Sequence, residues 1–487
     1  MNLRNIGYML GCVIDIEGLF MLMPFICGLI YGEDEGFAFI LVSAICITVG
    51  TLLILFKPKK LSFSPREGVI TVAFCWIVLS LFGALPFVFN NDIPNYLDAV
   101  FETASGFTTT GASILSDVEA LSHASLFWRN FTNWIGGMGV LVFLLAFLPL
   151  TGGTHMHLMR AESPGPSVEK FVPNVKGTAM ILYGIYISLS ALEFIFLLFG
   201  DMPLFDNICT VFGTAGTGGF AVKNASMAAY SPYVQWVVAV FMMLFGVNFS
   251  VYFLMLVKKF KQSILFEEFR WYLGIIAVAV VIIVFNSFDL ALSVSENIRN
   301  AFFQVSSIIT TTGFSTTDFN LWNSASKTVL VLIMFVGACA GSTGGGIKVS
   351  RIVIMLKSIK KELMLFAHPK SIRKIKFGGK LVEHEVVRSI NVFFITYVII
   401  FAGSLLLVSF DNASFETNFT AVAATINNIG PGLGDVGPTG NFGAFSPLSK
   451  IVLIFDMLAG RLEIYPLIMI FSLRSWKDGV VSLIKRN

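Results

Sequence analysis

Charge is scarce in this chain. Only 13% of its 487 residues are Asp, Glu, Lys or Arg, about half the ~25% usual in soluble domains, and a water-soluble globule is thereby excluded. Histidine is scarcer still. Of the five present, His155 and His157 stand two apart in a loop, where they cannot share a helical face, and they make no metal site. The six cysteines, Cys12, Cys27, Cys46, Cys75, Cys209 and Cys339, lie in apolar or re-entrant stretches without a C-x-x-C pair. That excludes a disulfide framework and a zinc site. No His, Asp or Glu set has a spacing suited to acid–base or metal-assisted chemistry, so neither an enzyme nor a nucleic-acid partner is expected.

What remains is apolar. Hydrophobic residues make up 55% of the chain, with 49 phenylalanines, and they gather into runs of the ~20 residues that cross a bilayer. Ten such runs lie near 6–31, 37–56, 69–90, 127–150, 178–199, 233–257, 271–288, 326–356, 389–410 and 449–473. The first is too long and too early for a cleaved signal sequence and reads as a retained helix. Asp15 and Glu17 within it are costly in a bilayer, and the sequence assigns them no role. With the N-terminus inside, 27 of the 33 Lys and Arg fall on inner segments, eleven of them in 347–388, as expected when basic loops stay cytoplasmic. Sixteen of the 30 acids fall on outer loops, against Arg129, Lys223, Arg299, Lys327 and Lys450, leaving that face near −11. A surface of that sign concentrates cations at its clefts.

Four phrases divide the chain. "SGFTTTGA" ends at Ala112, "GTAGTGGF" at Phe220, "SIITTTGF" at Phe314 and "ATINNIGP" at Pro431, which aligns Gly111, Gly219, Gly313 and Gly430. Their spacings of 108, 94 and 117 residues leave room for a span on either side, so the last eight spans read as four copies of helix, re-entrant segment, helix. Thirteen residues before each glycine stand Asp98, Asp206, Asn300 and Thr417, residue types that cap helix N-termini. Each copy is expected to hold a short helix that starts there and ends at the glycine.

Non-helical backbone at membrane depth survives only where it is buried in protein or lines a water-filled path. The four segments are therefore expected to converge on one axis. There, backbone carbonyls with threonine hydroxyls at the edge replace the water of a dehydrated cation. Glycine permits the positive φ this requires, and the negative C-terminal ends of the short helices favour a cation at the same axis. One Gly-Thr cluster alone would read as a packing notch between helices; four in register do not. The expected fold is an all-α polytopic membrane protein, with a two-helix extension over 1–68 and pseudo-symmetric pore repeats over 69–177, 178–270, 271–388 and 389–487.

"TTTGA", "TTTGF" and "NNIGPGLG" on four pore-type repeats, with "AGSTGGGIKVSR" at 340–351, "AGRLE" at 459–463 and "RAESPGP" at 160–166, resemble the Trk/Ktr/HKT superfamily of potassium transporters. The bacterial TrkH/TrkG branch is the most similar. The resemblance implies a homodimer in the bacterial inner membrane, surrounded by lipid, with potassium as the transported ion and one pore per subunit. The ion-binding filter positions it implies are Thr109 and Thr110 before Gly111, Thr217 and Gly218 before Gly219, Thr311 and Thr312 before Gly313, and Asn428 and Ile429 before Gly430. The TVGYG of tetrameric potassium channels is absent, and a filter with one such glycine per strand implies modest discrimination against sodium.

"GACAGSTGGG", residues 337–346, holds five glycines and would break a helix on propensity alone. The resemblance makes it a gate below the filter, formed by Gly341, Ser342, Thr343, Gly344, Gly345 and Gly346, with Arg461 facing the pore nearby. A structural pair of Arg461 with Asp456 or Glu463 is the alternative. A phosphate-binding loop fails on spacing, because Gly346 is followed by Ile347, Lys348 and Val349. The inner segment 368–387 reads as a β-hairpin turning at Gly378 and Gly379. It is either a positive-inside anchor or, as the resemblance implies, a docking surface for a cytosolic TrkA-type nucleotide-binding ring. The rival function is a carrier coupled to sodium or protons. Such carriers show broken helices in inverted halves, whereas these four repeats share one orientation.

Overall fold

Short polar signals start the helices. Ser64 Oγ accepts from the Glu67 amide while the Glu67 carboxylate accepts from the Ser64 amide, and Pro65 opens the helix; this capping box satisfies two donors that lipid could not. The computed structural model describes residues 3–58, 63–139, 175–370 and 373–471. Its N-terminal part holds α1 (Leu3–Phe20), α2 (Leu22–Tyr31) and α3 (Gly36–Leu55). Next come α4 (Pro65–Gly83), α5 (Leu85–Phe89), α6 (Tyr96–Phe107) and α7 (His123–Met138). They are followed by α8 (Val175–Leu197), α9 (Leu204–Gly216), α10 (Pro232–Phe245), α11 (Phe249–Leu256) and α12 (Phe260–Ile264). The third group is α13 (Glu267–Asn286), α14 (Val294–Ile309), α15 (Ser324–Val336) and α16 (Val349–Ala367). After β1 (Lys376–Phe377) and β2 (Lys380–Leu381) come α17 (His384–Val408), α18 (Phe415–Ile426), α19 (Pro447–Arg461) and α20 (Tyr465–Phe471). The protein is an all-α membrane protein.

Among the described residues, six stretches are long and apolar enough to span a bilayer: Leu3–Tyr31, Gly36–Leu55, Arg66–Phe89, Gly177–Leu197, Glu267–Asn286 and His384–Asp411. Three of the other expected spans are interrupted within the described residues. α10 and α11 cover 233–257 only as a pair bent by 89°. The run 326–356 is cut between α15 and α16, and the run 449–473 between α19 and α20. α7 ends at Met138, where Gly139 takes a φ of 78°; the rest of that run and "RAESPGP" lie outside the described residues. Hydropathy averages across a break, so it counted each broken helix as one span. The breaks fall at Gly246, Gly337 and the Glu463–Ile464 pair, where φ is 55° and 71°.

α1 lies against α3, where a Cβ at Gly11 would stand 2.7 Å from Gly50 O, and Ser43 Oγ donates to Gly18 O at 2.6 Å. Close approach at small residues is what holds helices together in lipid. Phe39, Trp76, Phe87 and Trp128 fill the core between α3, α4, α5 and α7. On the inner side the expected hairpin forms, with Lys376 opposite Leu381 and Phe377 opposite Lys380. Gly378 and Gly379 take φ of 57° and 78°, the two positive values a type I′ turn requires.

Candidate functional site

Four short helices each run into one of the four glycine strands, and each starts earlier than the spacing suggested. The capping positions are Asn95, Pro203, Ser293 and Ser414. Asn95 Oδ1 accepts from the Leu97 and Asp98 amides, and Ser414 Oγ from the Thr417 amide. Ser293 forms a capping box with Glu296. Asp98, Asp206 and Thr417 are thus third helical residues and Asn300 lies a further turn in. A cap side chain reaches the amide of the third residue, so an acid there complements the helix dipole instead of capping.

All four helices end in the same backbone turn. Thr109, Thr217, Thr311 and Asn428 have φ of 56°, 55°, 59° and 55°. Two residues on, Gly111, Gly219, Gly313 and Gly430 have φ of 76°, 64°, 89° and 97°. The alternation places Thr217 and Gly219 in the register of Thr109 and Gly111. The strands also close on one another. A Cβ at Gly111 would collide with Gly218 O, at Gly219 with Thr312 O, and at Gly313 with Ile429 O; at Gly430 it would lie 2.8 Å from Thr110 O. Each strand abuts the next and the fourth abuts the first. The four glycines line one cleft of about 220 Å³, bounded by outer-loop residues such as Ser116 and Asn224.

The threonine hydroxyls tie the strands together. Thr110 and Thr312 pair with Thr108 and Thr310 at 2.8 Å, and those two donate to the Ala104 and Ser306 carbonyls of α6 and α14 at 2.6 Å. Asn428 Nδ2 donates to Thr110 Oγ1 at 2.9 Å and to Met457 O at 2.8 Å, linking fourth strand to first. Thr109 Oγ1 and Asn428 Oδ1, from equivalent positions, are buried with no hydrogen-bond partner. Oxygens left in that state are costly unless something else satisfies them.

The outer acids are not simply spread over the surface. Glu102 is buried and receives Arg129 Nε at 2.6 Å, Ser113 Oγ at 2.9 Å and the Ile114 amide at 2.9 Å. Arg129 also donates to Ala221 O at 3.0 Å and stacks over Phe220, so the pair joins the segments that follow α6 and α9. Arg129→Ala would strand a buried carboxylate, a loss of about 3–5 kcal/mol in comparable pairs. A large fall in the thermal unfolding midpoint of the purified protein is expected, with Arg129→Lys milder. Asp117, beside the cleft, is held below the usual carboxylate range by the Asn224 amide side chain and so keeps its negative charge.

Beneath the strands, residues 337–348 form the expected break. Gly345 N–H donates to Thr311 Oγ1 at 2.6 Å and Gly346 N–H to Asn427 O at 3.1 Å. A Cβ at Gly344 would lie 2.7 Å from Thr310 O. Glycine is required there because the loop backbone presses on two strands. Ser342 Oγ donates to Cys339 O at 2.6 Å and Thr343 Oγ1 to Phe245 O at 3.2 Å. Gly341 O accepts from the Phe249 amide at 2.9 Å. Arg461 donates to Thr343 O at 2.9 Å, to Gly137 O at 2.8 Å and to Gly136 O. Of the two acids offered as its alternative partners, Glu463 pairs with Arg351 at 2.6 Å and Asp456 accepts from Ser404 at 2.7 Å.

Sequence reasoning missed Glu268. Its carboxylate accepts from the Ala340 amide at 2.7 Å, the Ser350 amide at 3.0 Å and Asn248 Nδ2 at 3.3 Å, gripping both ends of the loop. Lys348 Nζ reaches back to Gly344 O. The only signal for Glu268 was an acid at the start of an apolar run on an otherwise basic inner face. Asn133 was missed as well; it lies against Gly218, and both polar atoms of its side chain are buried without a partner.

A family model described as TrkH, cation transport protein, matches residues 35–478. Among known proteins, the Trk system potassium uptake protein TrkH of Salmonella typhimurium is 36% identical over 491 residues, covering 98% of this chain and all of that protein. TrkG of Escherichia coli, also a Trk system potassium uptake protein, is 32% identical over 484 residues, covering 98% of this chain and 99% of its own. The crystal structure of the potassium transporter TrkH from Vibrio parahaemolyticus superposes with a TM-score of 0.87 at 32% identity, covering 98% of this chain and 100% of that one.

Proposed function

The chain belongs to the TrkH family of cation transport proteins, a multi-pass membrane family and not an enzyme family, and from that premise we propose that it takes up potassium through a channel-like pore. One observation carries this reading: four strands with the same left-handed alternation close into a ring, each glycine set against the carbonyl of the next strand. Four carbonyls per layer replace the water that potassium sheds. The filter is Thr109 to Gly111, Thr217 to Gly219, Thr311 to Gly313 and Asn428 to Gly430, with the free oxygens of Thr109 and Asn428 at its inner end. The C-terminal ends of α6, α9, α14 and α18 add negative potential there.

The loop of residues 341–346 is the gate, and Arg461 latches it across to α7. The protein works as a homodimer in the bacterial inner membrane, and the basic inner segment with its hairpin receives a TrkA-type nucleotide-binding ring. Expression in a bacterium stripped of its potassium uptake systems should restore growth in potassium-limited medium; failure to do so with normal membrane yield would contradict the reading.

Arg461→Ala removes a cation beside the cation path and releases three carbonyls. Hydrogen bonds to charged groups are worth about 1.5–3 kcal/mol each, and about 1.4 kcal/mol is a tenfold change. A rise in potassium flux of at least about tenfold is expected in proteoliposomes. Unchanged or reduced flux at normal yield would remove Arg461 from the gate.

A further inference from the structure

A groove of about 580 Å³ runs between α13 and α15. Glu267–Asn286 is one of the membrane-spanning stretches, so the exposed apolar residues Val278, Ile282 and Leu332 along the groove face lipid or another protein. A Cβ at Gly274, midway along it, would meet nothing within 4 Å. Glycine inside a helix gives up about 1 kcal/mol relative to alanine, and no close packing within the chain offsets that.

The inner mouth of the groove is positive. Arg270 and Trp271 stand there, both exposed. Glu267 is already engaged by Lys357 Nζ and by the Gly378 amide at 2.8 Å, so Arg270 sets the local charge. Lys258, Lys259 and Lys261, also exposed, precede it. From Glu267 to Ile282 the groove follows α13 for about 22 Å at 1.5 Å per residue. One leaflet's hydrocarbon is about 15 Å deep, so an acyl chain can lie in the groove along its length.

We propose that this groove holds one anionic phospholipid of the inner leaflet, its phosphate on Arg270, Trp271 at headgroup level and an acyl chain over Gly274. Arginine and tryptophan at the cytoplasmic interface are the side chains that engage such headgroups. A second copy of the chain fits less well: an isologous contact would set groove against groove, leaving both unfilled and bringing like charges together at the inner end.

The test is native mass spectrometry of the full-length protein in detergent, supplied with phosphatidylglycerol or phosphatidylcholine. One phosphatidylglycerol per chain should be retained in preference to phosphatidylcholine. Gly274→Leu, whose side chain enters open space, should lose it, while Gly274→Ala keeps it. Arg270→Gln should bind the two lipids equally. Retention of phosphatidylglycerol by Gly274→Leu at wild-type occupancy, or an unchanged headgroup preference in Arg270→Gln, would overturn the proposal. So would loss of oligomer mass in Gly274→Leu with the lipid count per chain unchanged, which would assign the groove to a second copy.

Discussion

Gly219→Ser is expected to abolish selective potassium flux while leaving membrane insertion intact. Gly219 sits at a φ of 64°, and a Cβ there would collide with Thr312 O of the neighbouring strand. A side chain in the left-handed region costs about 1–2 kcal/mol, and the collision adds to it by pushing aside a carbonyl of the ring. Since about 1.4 kcal/mol is a tenfold change, flux should fall at least tenfold, or the preference for potassium over sodium should vanish. Gly313→Ser, aimed at Ile429 O, should behave alike. Gly184→Ser serves as the control, because a Cβ at Gly184 meets nothing within 4 Å. Isotope flux into proteoliposomes reads all three, and wild-type selectivity in both ring mutants would exclude these glycines from the filter.

Deletion of residues 341–346 is expected to leave a pore that conducts persistently and ignores the regulatory ring and its nucleotide. The deleted segment contains the carbonyls that Arg461 and Lys348 hold, and the amide that meets Thr311. It also continues through Ile347 into α16, so a pull on the inner basic segment reaches the constriction through covalent backbone. Because the deletion removes a contact to the filter strand, a milder variant is informative. Glu268→Gln replaces a carboxylate that accepts from Ala340, Ser350 and Asn248 with an amide that accepts fewer donors, and should raise basal flux without erasing the nucleotide response. Flux measured with and without the partner ring distinguishes them; a deletion variant that stays closed, or still responds fully, removes the loop from gating.

The parts of this architecture that were legible in the sequence are those where one residue type is the physical answer to a local demand. Gly111, Gly219, Gly313 and Gly430 announce themselves because side chains are disfavoured at positive φ beside a neighbouring carbonyl. Gly378 and Gly379 do so because a two-residue turn needs two positive φ values, and the cluster from Gly337 to Gly346 because no helix tolerates it. What stayed hidden depends on partners far away in the chain. Glu102 and Arg129 count as two outer charges until folding buries them against each other. Glu268 reaches Ala340 across 72 positions, and nothing near it marks the contact. Three helix starts were misplaced by about one turn because Asp and Thr serve both as caps and as first-turn residues, and the one expected at Asn300 was misplaced by about two. The breaks at Gly246 and Glu463 were invisible to hydropathy, which sees composition and not direction.

The account stands on passive, potassium-preferring conduction through one ring of four strands. The most direct test is the reversal potential of the full-length protein in a planar bilayer, with potassium on one side and sodium on the other, repeated across a pH gradient. The account predicts a reversal potential on the potassium side of zero that does not move when the pH gradient is imposed. A reversal potential that shifts with the pH gradient would contradict it and establish a proton-coupled carrier instead, and one on the sodium side of zero would contradict the preference for potassium.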